Sequence, residues 1–105
     1  MTNKERMSQI GEVMDELVKL GFRCKNDDYL AMQKITKNTT GLTSYEYYDV
    51  TVIFNTDDSI EVWSIFRDKD KYSRISDTRL VTYITSPTFH EDVINKVKEL
   101  LDVRD

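Results

Sequence analysis

Apolar residues recur at steps of three and four through Met7, Ile10, Val13, Met14, Leu17 and Leu20. That spacing is one stripe of an α-helix. Thr2 and Glu5 stand ahead of it at capping-box spacing, and Gly21 follows where a left-handed residue ends a helix. Glu5, Glu12, Asp15 and Glu16 fill the polar side. Gly11 either weakens the middle of this helix or admits a close neighbour. A second stripe closes the chain: Val93, Ile94, Val97, Leu100 and Leu101 follow Ser86-Pro87-Thr88, and Thr88 with Glu91 repeats the capping-box spacing. Pro87 also stops whatever strand precedes it.

Between the two stripes the pattern shortens to a period of two, the spacing of half-buried strands. Phe22 to Lys25 predicts a short strand, Asn26-Asp27-Asp28 a turn, and Tyr29 to Thr36 a second strand. A polar loop runs from Lys37 to Thr43 around Gly41. Ser44 to Asn55 is the longest strand and Ile60 to Arg67 answers it. Asp68 to Asp77 is a charged loop, and Thr78 to Thr85 is the last strand. If Asp57-Asp58 is a two-residue turn, Phe54 faces Glu61, Val52 faces Trp63 and Val50 faces Ile65. One face then carries Tyr48, Val50, Val52, Phe54, Trp63 and Ile65 and suits a core. The other carries Tyr45, Tyr47, Asp49, Thr51, Ile53, Val62, Ser64 and Phe66. A slip of one residue would exchange the two sets on the partner strand.

Two amphipathic helices at the ends of one antiparallel sheet give an α+β fold in two layers. The expected form is a sandwich with a four- to five-stranded sheet and both helices on one face, in the order α-β-β-β-β-α. Residues 1–105 form a single domain. The opposite face of the sheet is left for water or a partner.

The chain carries 15 basic and 19 acidic residues, a net charge of −4, which argues against a general binder of nucleic acid or anionic membrane. Cys24 is the one cysteine, so no internal disulfide forms. No leader-like apolar run follows Met1, and no stretch approaches the ~20 apolar residues that span a bilayer. These features predict a cytoplasmic protein. Asn38-Thr39-Thr40 matches a glycosylation sequon but reads as a turn in that setting.

Chemistry-bearing patterns are sparse. His90 and Cys24 are the only soft metal ligands, short of the roughly four that a structural zinc needs. Asp27-Asp28, Asp57-Asp58 and Asp68-x-Asp70 lack calcium-loop spacing and read as turn aspartates. With three glycines in all there is no phosphate-cradling loop. Cys24 and His90 could pair as a nucleophile and base, but no local signature supports it. The expectation is therefore no enzyme, no cofactor and no metal.

Two surfaces suggest partners. Tyr45, Tyr47 and Phe66 give the second sheet face an aromatic character that suits a protein interface, either with a foreign protein or with a second copy. Arg67, Lys69, Lys71, Tyr72, Arg74 and Arg79 make residues 67–79 locally basic, with a tyrosine among the cations. Single-stranded nucleic acid or an acidic protein would suit that loop, and a solvated loop of mixed charge is its plain alternative. The acidic turns Asp27-Asp28, Asp57-Asp58 and Glu91-Asp92, with Tyr45, Tyr47 and Phe66, give a chain similar in type to small proteins of bacteriophages and mobile elements, including the anti-CRISPR inhibitors of RNA-guided nucleases. That resemblance implies a non-enzymatic protein that occupies a surface of a host nuclease or other defence protein. The alternative expectation is a nucleic-acid-binding regulator using the basic loop.

Overall fold

The computed structural model describes residues 2–24, 31–37, 45–68, 73–75 and 79–102. Within these, the side chains of residues 3, 36, 37, 45–47, 66–68, 73–75 and 102 are not described. The expected turn at Asn26-Asp27-Asp28 and the loop at 38–43 lie outside the described residues, as do Lys69, Lys71 and Tyr72.

Helix α1 covers Asn3–Lys19. Thr2 caps it by accepting the Glu5 amide at 3.2 Å, which satisfies one of the donors orphaned at a helix start. Gly21 adopts a φ of 97°. There the Gly21 amide reaches Val18 O at 3.0 Å and the Phe22 amide reaches Leu17 O at 2.9 Å, the paired bonds of a Schellman end. Ile10, Val13 and Leu17 are buried, and Met14 and Leu20 pack against the core. Met7 stands at the margin of the stripe and is exposed instead.

Four shorter strands and one long pair follow among the described residues: β1 Arg23–Cys24, β2 Ala31–Lys37, β3 Tyr45–Phe54, β4 Ser59–Asp68, β5 Ser73–Ile75 and β6 Leu80–Tyr83. All pairings are antiparallel, in the order β1-β2-β3-β4, with β5 and β6 sharing the far side of β4. Ile75 pairs with Ile65 and Leu80 with Val62. Three steps along β4, from 62 to 65, thus face five along the returning chain, from 75 to 80. β5 and β6 pair with successive stretches of β4, and residues 76–79 separate them in the chain. Ser73–Ile75 lies within the stretch that charge alone marked as loop, because pairing with β4 overrides its polar composition.

The hairpin between β3 and β4 departs from the two-residue turn. Phe54 pairs with Ile60, Val52 with Val62, Thr51 with Trp63 and Val50 with Ser64. The loop has three residues, Thr56, Asp57 and Asp58. The Asp58 amide donates to Asn55 O and the Asn55 amide to Ser59 O, while Asp58 takes a left-handed φ of 68°. This is a turn followed by a bulge residue. Aspartate tolerates that conformation better than most side chains. Asp57 Oδ1 accepts the Ser59 amide at 3.0 Å and the Ser59 hydroxyl at 2.5 Å, tying the loop to β4. Asn55 Nδ2 donates to Ser59 Oγ and to Glu61 Oε2. Arg6 reaches over from α1 to ion-pair with Asp58 at 2.5 Å.

The slip sends Val62 and Ser64 to the helix side of β4, where both are fully buried. Trp63 and Ile65 go to the opposite side. The expected faces therefore hold for β3 and are exchanged for β4. Position 66 pairs with Tyr48, one step from where the shorter turn would have set it. A register shift between Tyr45 and Tyr47 also breaks the strict alternation that grouped those two tyrosines.

Helix α2 covers Phe89–Asp102. Thr88 Oγ1 donates to Asp92 Oδ2 at 2.9 Å, so the expected partnership of Thr88 with Glu91 gives way to Asp92, one residue further on. Phe89, Val93, Ile94, Val97 and Leu100 join Ile10, Val13, Leu17, Val50, Val52, Phe54, Ile60 and Val62 in a single core. Both helices thus lie on one face of the sheet, as the two stripes predict. Two side chains from that face hold the helix ends. Lys34 Nζ donates to Leu20 O at 2.9 Å, and the buried Tyr48 hydroxyl donates to Leu100 O. Both satisfy carbonyls near helix C-termini, where a cation such as Lys34 also suits the helix dipole.

A Cβ on Gly11 would meet nothing within 4 Å. Gly11→Ala should therefore raise stability by about 0.5–1 kcal/mol through helix propensity and a stiffer unfolded chain, read as a higher urea midpoint with unchanged slope. The Asp57 carboxyl is held below its usual range by the Ser59 hydroxyl first and the Ser59 amide second. A lowered folded value stabilises the fold above the unfolded value, and the benefit disappears as pH falls through the folded one. The urea midpoint of Asp57→Asn should trail wild type at neutral pH, and the gap should close below about pH 4. A gap that stays constant on acidification would contradict this linkage.

Candidate functional site

The sheet face turned away from both helices has no helix over it among the described residues. Its cross-strand rows follow from the ladder. Ala31, Ile53, Glu61 and Val81 form one row, and Gln33, Thr51 and Trp63 the next. Ile35, Asp49, Ile65 and Ile75 form a third. Lys37, Tyr47, Arg67 and Ser73 pair in a fourth at the end of the sheet. Ile35, Val81 and Tyr83 are each about half exposed, at 55%, 49% and 52%. Apolar side chains of that size are usually drawn inward, so their exposure on one sheet face marks a surface suited to contact.

The middle of this face is polar and sealed. Asp49 is 2% exposed and Thr51 fully buried. Thr51 Oγ1 donates to Asp49 Oδ1 at 3.0 Å, and Asp49 Oδ2 has no hydrogen-bond partner among the described residues. Flanking residues explain the burial: Asp49 sits between Ile35 and Ile65 on the neighbouring strands. Sequence alternation placed Asp49 and Thr51 on this face correctly. It gave no sign that they would be buried, because burial comes from neighbours across the ladder.

Positions from both sequence-identified surfaces fall at one end of the sheet, but on its two different faces. Tyr45 pairs with Asp68, Tyr47 with Arg67, and Phe66 with both Tyr48 and Arg74. Tyr47 and Arg67 share a row of the helix-free face, whereas position 66 falls with position 74 in the row of buried Tyr48 on the helix side, so the expected grouping of Phe66 with Tyr47 on one face does not hold. Lys37, which reads only as the start of a loop in the sequence, joins the Tyr47–Arg67 row. The side chains of Tyr45, Tyr47, Phe66, Arg67 and Arg74 lie outside the described set, and Lys69, Lys71 and Tyr72 lie outside it altogether.

A second feature lies between the helices. His90 Nε2 meets Glu16 Oε2 at 2.5 Å, joining the first turn of α2 to α1. Glu16, Pro87, His90, Glu91, Ile94 and Asn95 line an open groove of about 570 Å3 there. Glu16 was legible only as part of a polar helix face, since 74 residues separate it from its partner. Cys24 is exposed on β1. Among the described residues no three His, Cys, Asp or Glu side chains gather as metal ligands. No described helix is long and apolar enough to cross a membrane.

A buried carboxyl oxygen without a donor costs stability. Asp49→Asn keeps the oxygen that Thr51 contacts and removes the acid, so its thermal midpoint should equal or exceed that of wild type. A drop of several degrees would mean that Asp49 has a donor in solution. No protein-family model, curated protein or solved structure matches this chain.

Proposed function

We propose that the chain is a non-enzymatic protein-binding module of the phage-inhibitor type. It acts in the host cytoplasm by occupying a surface of a nuclease or other defence protein. The observation that supports this reading is the helix-free sheet face, with half-exposed Ile35 in one row with Ile65 and the Lys37–Tyr47–Arg67 row at its end. Aliphatic and aromatic anchors in a rigid strand ladder bring contact area at little entropic cost, and the cations at the rim steer the approach. A sheet face needs no conformational change to act this way.

The reading is tested by adding the protein in excess to cleavage reactions of a panel of RNA-guided and other defence nucleases. Inhibition of at least one member is expected. Ile35→Asp with Tyr47→Ala should weaken that inhibition by roughly a hundredfold, since each anchor is worth about 1–2 kcal/mol or more, while circular dichroism stays unchanged. Full activity of every nuclease in the panel counts against the proposal, as does inhibition indifferent to the two substitutions. The ladder also favours one second reading, because Lys37 adds a cation to the row that holds Tyr47 and Arg67. A regulator of that kind would use Arg67, Lys69, Lys71, Tyr72 and Arg74 on single-stranded nucleic acid. Its signature is retention on a filter that falls steeply with salt.

A further inference from the structure

The two edges of the sheet are finished differently. One ends in β1, two residues long, with exposed Arg23 and Cys24. A short strand with a charged side chain is a common way to blunt an edge. The other ends in β6, Leu80–Tyr83, which pairs with β4 on its inner side and with no described strand on its outer side. Its side chains on the helix-free face are Val81 and Tyr83, both about half exposed, and Arg79 just before it is exposed too.

The backbone groups of this edge can be assigned. The Ile84 amide donates inward to Asp58 O at 2.9 Å. Amide and carbonyl directions alternate along a strand, so Leu80 and Thr82 also point toward β4. Val81 and Tyr83 therefore point outward. The Tyr83 carbonyl is taken by the Ser86 amide at 2.9 Å. The Val81 amide, the Val81 carbonyl and the Tyr83 amide have no partner among the described residues and form a short template for another strand.

We propose that β6 pairs antiparallel with β6 of a second copy across a two-fold axis at Val81. In that register Val81 faces Val81, and the two exchange both backbone hydrogen bonds. Tyr83 then faces Arg79 of the other copy, on the same side of the joined sheet, and symmetry makes the pair twice. An arginine beside a tyrosine ring is a favourable contact. The edge is thus complementary to itself in side chains as well as in backbone.

On α2, Phe89, Val93, Val97 and Leu100 face the core, and His90 faces α1 through Glu16. Helical spacing leaves Asp92, Lys96 and Glu99 on the flank of α2 turned away from α1. Lys96 pairs with Glu99 at 3.3 Å.

The assembly is independent of any foreign partner. It is tested by sedimentation equilibrium on the purified chain over about a hundredfold range of concentration. The mass should rise from 12.4 kDa toward twice that value. Val81→Lys sets like charges against each other on the axis and should remain monomeric, with unchanged circular dichroism. Arg79→Glu should raise the dimer dissociation constant by roughly tenfold, and Arg79→Glu with Tyr83→Lys should recover most of that loss by exchanging the contact for an ion pair. A wild-type mass fixed at that of one chain overturns the proposal. So does dimerisation of Val81→Lys equal to wild type, or an Arg79→Glu variant that associates as tightly as the parent.

Discussion

The register of the central hairpin governs the molecule, and a few polar contacts at its tip set that register. Asp58 takes the left-handed conformation that a three-residue loop requires. Asp57 holds the Ser59 amide and hydroxyl, and Asn55 closes the loop on Ser59 and Glu61. One residue fewer in this loop would turn Trp63 and Ile65 inward and Val62 and Ser64 outward. The core would then have to house an indole where it now has a valine, a change of volume that a close-packed interior does not absorb. Arg6 links the same tip to α1, so the first helix and the hairpin are fixed against each other at one end of the molecule.

At the other end of each helix the sheet supplies the tie. Lys34 and Tyr48 satisfy terminal carbonyls of α1 and α2 from strands β2 and β3. Both side chains project from the face that carries the core, so they orient the helices as well as cap them. His90 and Glu16 then join the two helices directly. These contacts supply direction where the hydrophobic core supplies most of the attraction. The helix layer is in this way committed to one side, and the far side of the sheet is left with its own residues.

That far side is not a simple solvated face. Ile35, Val81 and Tyr83 stand half exposed around a floor in which Asp49 and Thr51 are closed off from water. An open face with apolar margins and an ordered end row of Lys37, Tyr47 and Arg67 positions is a surface fit for another macromolecule. The β6 edge, with no described strand on its outer side, carries the proposed second route to association along the same sheet. The two are geometrically compatible, because an edge-to-edge dimer widens the open face without covering it.

Much of this was written in the chain. The helical stripes, the Thr2 cap, Gly21 and the alternation of β3 predict two helices on one face of an antiparallel sheet, because each depends on neighbours a few positions away. Contacts distant in sequence were not legible. The β4 face assignment failed by one residue, since aspartate at position 58 permits a loop conformation that composition does not announce. β5 was hidden within a charged stretch because its strand form comes from pairing with β4. Asp49 looked like an exposed polar residue and Lys37 like the start of a loop, and nothing near His90 in the chain pointed to Glu16. The sequence alone therefore determined the elements and the side of the sheet they would share, through local periodicity and capping. Only the tertiary structure decided which residues meet across strands, because register and burial are set by partners far along the chain.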